Sequence, residues 1–561
     1  MKKKRFLVIV AIFLMLVIIA LGLYKFTPLK YPIKDFLGIS RSVFYVNNVM
    51  QNDTKGIDYS KDDVREVQIG KDRTYLINHS RGFAIGFPRD AEYDFSTAQE
   101  YISVKCDAFS AVISKEWTTY PKGVEESKKY VTDVLHKYML DETYIKENKI
   151  TLHKNEYEKI AGYPMQILAL SREAAKGSEV KDNAYVYGYI YKDDVVFYRV
   201  MFKAPKYTDE LMKEVYNTLE SFSENVPVKG VSDTFTDFRP IENENWNEET
   251  KALYKELKEG KECKWGIFTP RAVINNDFTD VHKLEEKAEV KFDGVLEYIY
   301  HTDNVPAEGM KTAYDEGKII ELTLQTSTVM NENLEGHNPM FDVLDGKCDE
   351  DLRKIAKDIK DFSHPVLFRL NNEMNSDWTS YSASTCLTDP EIYVQVWHRI
   401  YNIFEEEGVD NAIWIFNPND ENFPPNGYNS SLAYYPGNGY VHIFGVTGYN
   451  TGTYYAEAHG EKWRSFSEIY QSITDRSIKD YGEFPWIITE FASSSVGGDK
   501  ALWINEMFRD LKKFPNIKMA FWFNSADYDE SYGENVVPAR PYWFDETPET
   551  AKAFANGLKK N

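Results

Sequence analysis

Two glutamates stand where an apolar run gives way abruptly to polar side chains. In HPVLFRLNNEMNSDW, residues 364–378, Val366, Leu367 and Phe368 lead straight into Arg369, Asn371, Asn372, Glu373, Asn375 and Trp378. In FPWIITEFASSS, residues 484–495, Glu490 follows the run WIIT in the same way. So many polar groups cannot all lie in a core without partners or water, and the carboxyl end of a parallel strand is where α/β folds keep their sites. Two carboxylates projecting into one barrel mouth suit the cleavage of an acetal. One protonates the leaving oxygen and the other attacks the anomeric carbon, at a separation of about 5–5.5 Å in the retaining mechanism. Either glutamate alone reads more simply as a solvated or salt-bridged residue. The chemistry rests on the pair, with Glu373 as acid/base and Glu490 as nucleophile.

Positioning such a pair takes a closed set of parallel strands. From Trp265 onward eight short apolar runs recur: 265–268, 295–299, 319–324, 366–370, 412–416, 441–446, 486–489 and 519–523. Nearly all are continuous rather than alternating, the pattern of strands buried on both faces. The stretch Pro390 to Gly408 places Tyr393, Val396, Trp397, Ile400, Ile403 and Phe404 on one helical face between two of them. Eight strands alternating with helices predict a (β/α)8 barrel over 263–561, giving an α/β fold class.

Ahead of the barrel, Lys2 to Arg5 precede the apolar stretch Phe6 to Tyr24. Its length matches the ~20 residues of a bilayer-spanning helix, and it lacks the small-residue cleavage site of a signal peptide. The expectation is an uncleaved anchor over 1–26, with the rest of the chain outside the cell membrane, followed by a stalk over 27–66. In 67–225, Ala184 to Pro205 reads as a β-hairpin turning at Lys192-Asp193-Asp194, and Thr208 to Phe222 as a helix with Thr208 as N-cap. Together with GFAIGFP at 82–88 this segment resembles the PsbP-like family of α/β sandwich domains. It shows no catalytic constellation, and a protein partner is the role left open for it. The stretch 226–262 opens with Pro, Gly, Ser, Asp and Asn and reads as a linker, so the barrel is expected to fold without what precedes it.

The motifs around the two glutamates are similar to those of glycoside hydrolase family 26. Arg369, Asn372-Glu373-Met374-Asn375 and Trp378, followed by EIYVQVWHRIYNIFEEEGVDNAIWIFNPND at 391–420, resemble its acid/base segment. WIITEFASSS resembles its nucleophile strand, and FGVTGYN puts Tyr449 where the family keeps a tyrosine beside the nucleophile. Three positions depart from that pattern: Asn372 stands where the family has His, Ser376 where it usually has Gly, and Thr447 where it has Asp. They lie where sugars would bind, so they bear on substrate more than on reaction type. The resemblance implies a retaining endo-β-glycanase with β-mannan as first substrate and mixed-linkage β-glucan or β-1,3-xylan as alternatives. An exopolysaccharide-processing hydrolase of the same mechanism, or a non-catalytic carbohydrate-binding or assembly module, are the rival readings.

Each remaining candidate has a role and a plainer alternative. Arg369 would keep Glu490 ionised, or merely neutralise a buried carboxylate. Asn372 would hydrogen-bond the sugar 2-hydroxyl, or cap a turn. Tyr449 would orient Glu490, or line a wall. Trp522 would be the floor under the reacting sugar, or barrel core, with Trp378 a similar case. No cofactor and no metal is implied, because Cys106, Cys263, Cys348 and Cys386 have no metal-ligand spacing. The four cysteines leave disulfide pairing open. The formal charge of −22, with no basic stripe to offset it, argues against nucleic acid and other anionic polymers. The expected partner is a neutral β-linked polysaccharide.

Overall fold

The computed structural model describes residues 43–52, 64–118, 126–176, 178, 180–228, 236–327, 336–531 and 536–560. The expected anchor and most of the stalk lie outside these residues. No helix among them is long and apolar enough to cross a membrane.

Two compact units emerge, interleaved along the chain. One comprises the described residues up to Glu116 together with Leu152–Ser171 and those from Lys181 to 228. The other comprises Trp117–Thr151, Arg172–Val180 and the chain from Thr236 onward. In the first unit the hairpin Ala184–Tyr191 and Val196–Ala204 pairs antiparallel at the heart of a seven-stranded sheet. The helix Asp209–Glu220 begins at Thr208, whose side chain accepts the Leu211 N–H at 3.1 Å. A four-stranded sheet and a two-stranded one, Val43–Val46 with Val49–Asn52, belong to the same unit.

In the second unit eight parallel strands close into a barrel: β1 (Lys264–Phe268), β2 (Gly294–Tyr300), β3 (Ile319–Gln325), β4 (Val366–Leu370), β5 (Ala412–Phe416), β6 (Ile443–Thr447), β7 (Trp486–Phe491) and β8 (Ile517–Phe523). The pairing of β8 with β1 completes the ring. All eight apolar runs of the sequence are barrel strands. Leu296, Leu367, Ile413, Ile443, Ile487, Met519 and Phe521 fill the interior. Gly266 makes room for that filling, since a Cβ there would stand 2.2 Å from the Phe521 ring.

Two boundaries differ from the sequence reading. The second half of the expected linker is a helix, Glu248–Glu259, that closes the amino-terminal end of the barrel. Trp246, Tyr254 and Leu257 join the barrel core, the Trp246 indole donating to Ala412 O at 3.0 Å and the Tyr254 hydroxyl to His442 O at 3.2 Å. Its apolar residues are spaced for a single helical face, which the surrounding Glu and Lys conceal.

The second difference is that 117–151 and 172–180, expected within one uninterrupted domain, belong to the barrel unit. Tyr144 is buried and donates to Thr385 O, and Tyr130, also buried, donates to Asn426 Oδ1 at 2.7 Å. Asn148 donates to Gly336 O at 2.6 Å and accepts the Asn338 N–H at 2.9 Å. Arg172 pairs with Asp345 and lies over the Phe341 ring. These partners sit on loops that follow β3, β4 and β5 at the carboxyl end, so this stretch buttresses the site. A barrel cut free at residue 236 would lose that support. The four cysteines are unpaired.

Tyr144 offers a direct check on the buttress. Tyr144→Ala should destabilise the barrel unit by about 3–5 kcal/mol through loss of a buried ring, and Tyr144→Phe by about 1 kcal/mol through loss of one hydrogen bond. Ten of the 11 tryptophans lie at or beyond Trp246 in the barrel unit, and the other, Trp117, ends a strand of the seven-stranded sheet. Urea unfolding of a Trp117→Phe background followed by tryptophan fluorescence therefore reads the barrel unit, and an unchanged midpoint for Tyr144→Ala would show the contact to be superficial.

Candidate active site

The side chains that converge at the carboxyl end of the barrel come from six strands and the loops behind them. Glu490 reaches the lumen through a local irregularity. Val446 lies opposite Ile488, but Thr447 lies opposite Glu490, so one residue of β7 is skipped. Such a bulge re-aims a side chain, and here it turns a residue of the outward-facing parity toward the centre. The Glu490 carboxylate is 5% exposed and is held from all sides. Its Oε1 accepts from Arg369 Nη1 at 2.8 Å, Asn372 Nδ2 at 3.3 Å and Thr447 Oγ1 at 3.4 Å. Its Oε2 accepts from the hydroxyls of Tyr298 at 2.7 Å and Tyr449 at 3.0 Å. Five donors on two oxygens hold the carboxylate in one orientation.

Glu373 sits in a different environment. Its backbone is left-handed, with φ +56°, as is that of Asn371 at +48°. A non-glycine residue bears a conformational cost there, and it persists only where the surroundings enforce it. Here the Glu373 N–H donates to Asn417 O at 2.8 Å, while Ser376 Oγ donates to Glu373 O at 2.5 Å. Asn371 is fixed by accepting from the Thr326 N–H at 2.8 Å. The Glu373 side chain accepts from Asn419 Nδ2 at 2.5 Å. Burial, reinforced by the nearby Glu490 charge, pushes its carboxyl up to about 8, against the opposing pull of Asn419, Arg369 and Trp378. One carboxyl is thus clamped by donors and the other held protonated at neutral pH, the asymmetry that acid and nucleophile chemistry on one sugar requires.

Asn375 explains how the two loops keep this register. Its Oδ1 accepts the Asn419 N–H at 2.7 Å, and its Nδ2 donates to Asn422 Oδ1 at 2.8 Å and Glu421 O at 3.2 Å. The loop after β4 is thereby stitched to the loop after β5, and Asn419 is delivered to Glu373.

The other sequence candidates divide. Arg369, fully buried, bridges Glu490 and Glu321 and donates to Asn417 Oδ1 at 3.0 Å. Asn372 adds to its contact with Glu490 two donors on its own Oδ1, Gln325 Nε2 at 3.0 Å and the Tyr381 hydroxyl at 3.1 Å. Trp378 is 40% exposed beside the Phe423 ring, an open apolar face next to Glu373. Trp522 does not belong with them. It is completely buried, packed against Phe491, Trp503 and Phe554 with its indole donating to Tyr542 O at 2.9 Å. The reason is strand parity: Met519 and Phe521 fill the barrel, so Trp522 points outward to the helices. Its neighbour Phe523 has the inward parity, half-buried against Phe268 and Tyr449.

Sequence reading missed Tyr298, Asn419, Asn417 and Gln325. Tyr298 carried a usable signal, since it shares the inward parity of Leu296 on β2. Asn419 was inside a motif already singled out, but its target could only be found once the two loops were seen together. Among the described residues no cluster of three or more His, Cys, Asp or Glu is placed to hold a metal ion.

Comparison with known proteins places this geometry. Residues 271–491, which include both glutamates, match the family model of glycosyl hydrolase family 26. Over 186 residues the chain is 33% identical to endoglucanase H of Acetivibrio thermocellus, covering 33% of this chain and 20% of that protein. Over 168 residues it is 28% identical to a mannan endo-1,4-beta-mannosidase of Bacillus subtilis, covering 28% of this chain and 40% of that protein. The chain thus spans well under two thirds of either curated relative. Among solved structures it is similar to the catalytic domain of an endo-beta-1,4-mannanase from Bacillus sp. JAMB-750, at 18% identity and a TM-score of 0.42, over 57% of this chain and 92% of that one. The stretch matched by the family model runs from just after β1 to the end of β7.

The elevated Glu373 carboxyl makes a prediction about stability. Its proton affinity is higher folded than unfolded, so the folded state binds more protons between about 4.5 and about 8, and stability falls as pH rises through that window. Glu373→Gln removes this loss. Thermal melts across the window should show the variant gaining on the wild type as pH rises, and parallel curves would contradict the assignment.

Proposed function

We propose that this protein is a retaining endo-β-glycanase that acts on a neutral β-linked polysaccharide, with β-1,4-mannan as the first substrate, anchored by its amino-terminal segment with the barrel outside the cell. The observation that carries this reading is the unequal pair of carboxyls. Glu490, ionised and oriented by Arg369, Tyr298 and Tyr449, attacks the anomeric carbon as Glu373 passes its proton to the leaving glycosidic oxygen. The bond to the leaving sugar breaks and an ester to Glu490 forms. Loss of the Glu490 charge then lowers the proton affinity of Glu373, which takes a proton from the incoming water. Water attacks the same carbon and frees Glu490. Two inversions leave the anomeric configuration unchanged.

A β-glucan is the second reading, favoured by the higher identity to a relative named as an endoglucanase and by Asn372 in place of the histidine of the family pattern. Release of reducing ends from mannan, mixed-linkage glucan and β-1,3-xylan separates the alternatives. Inactivity across the panel would favour a binding module.

The two carboxyls should respond differently to mutation. Glu490→Ala should abolish turnover of every substrate, a loss of about 10⁴-fold or more. Glu373→Ala should fail on polysaccharide, yet give a burst and slow hydrolysis with an aryl glycoside, and added azide should restore turnover as the β-glycosyl azide. Wild-type rates for both variants on an activated substrate would refute the roles.

The proposed topology is tested separately. Protease added to intact cells should release the barrel. A mature protein shed into the medium with its amino terminus near Tyr24 would mean that the apolar stretch is a cleaved signal.

A further inference from the structure

Beneath the two carboxyls lies a third that the reaction above does not use. Glu321 is on β3, with its side chain wholly excluded from solvent, and its Oε1 is 2.8 Å from Arg369 Nε. Arg369 therefore stands between two acids, since its Nη1 is 2.8 Å from Glu490 Oε1. Thr323 Oγ1 accepts from Arg369 Nε at 2.7 Å and Asn417 Oδ1 from Nη1 at 3.0 Å, which fixes the guanidinium plane from strand to strand. The Tyr298 ring lies 5.2 Å from the guanidinium carbon. Among the described residues no other cation pairs with either acid. Two full negative charges against one positive charge in a water-excluded site are unfavourable, and the better-solvated acid keeps its charge. Five donors serve Glu490, whereas Glu321 has the Arg369 contact and the Thr323 hydroxyl on its own strand.

We propose that Glu321 is a positioning residue, a neutral carboxylic acid that props the Arg369 guanidinium from below and leaves its charge to Glu490. Burial pushes the Glu321 carboxyl up to about 8, with Glu490 adding to the rise and Arg369 opposing it. The groups facing it are Arg369 on β4, Glu490 on β7, Tyr298 on β2 and Thr323 on its own strand. Ionisation of Glu321 at alkaline pH would put a second anion on Arg369 and weaken its hold on Glu490. The alkaline limb of the rate profile then contains two deprotonations, that of Glu373 and that of Glu321.

This inference rests on the glycanase reading, and its test separates the two. In the full chain, Glu321→Leu should lower kcat by roughly 10-fold or more with KM changed by less than about 2-fold, because the loss concerns the orientation of Glu490 and not sugar binding. Glu321→Gln, neutral and polar at every pH, should restore kcat near neutral pH to within about 3-fold of wild type, and should reduce the alkaline limb from a two-proton to a one-proton fall. A Glu321→Gln variant as impaired as Glu321→Leu would overturn the proposal, since the site would then need an anion. A second readout needs no substrate. The wild-type minus Glu321→Gln infrared difference spectrum near neutral pH should contain the carbonyl stretch of a protonated carboxylic acid, and a carboxylate band in its place would overturn the neutral assignment. If wild type cleaves no glycan while the acid band is present, the glycanase reading fails and the protonation of Glu321 stands.

Discussion

Arg369 is wholly buried at the centre of the barrel, and the arrangement of the mouth follows from where its charge goes. It is the cation within ion-pairing distance of both Glu490 and Glu321. In a water-excluded site, attraction to one anion is strong and repulsion between two anions is equally strong. With Glu373 also near, three carboxyls share one cation, and the remaining donors are unequally distributed among them. The hydroxyls of Tyr298 and Tyr449 and the amide of Asn372 gather on Glu490. The raised proton affinity of Glu373 is the counterpart of the same constraint.

Holding that geometry takes structure well beyond the strands. The bulge in β7 admits Glu490 to the lumen, the left-handed backbone at Asn371 and Glu373 turns the loop after β4 over the mouth, and Asn375 ties that loop to the next. Tyr130, Tyr144 and Asn148 then support these loops from a stretch of chain far earlier in the sequence. A conformational cost at Glu373 persists because several hydrogen bonds depend on it together.

Much of this could be read in advance. Strands buried on both faces appear as unbroken apolar runs, so β1 to β8 were legible one by one, and so were the two glutamates at strand ends. Side-chain direction was less so. Period-two parity on β8 distinguishes Phe523 from Trp522 once Phe521 is known to be internal, but that knowledge comes from packing. Skipping of a residue at the β7 bulge reverses parity for Glu490 with no mark in the sequence. Contacts such as Tyr144 to Thr385 join residues far apart along the chain, and local periodicity carries no information about them. The helix Glu248–Glu259 was legible from Trp246, Tyr254 and Leu257, and was obscured by the polar composition around it.

In the proposed mechanism the charge of Arg369 makes Glu490, and no other carboxyl of the barrel, the group that bonds to sugar. An activated fluorosugar glycoside forms the glycosyl ester quickly and hydrolyses it slowly, so the labelled peptide can be identified by mass spectrometry after digestion. One equivalent of label is expected on the peptide containing Glu490, and none on those containing Glu373 or Glu321. Label on either of the latter, or rapid turnover with inverted product and no trapped ester, would contradict the mechanism.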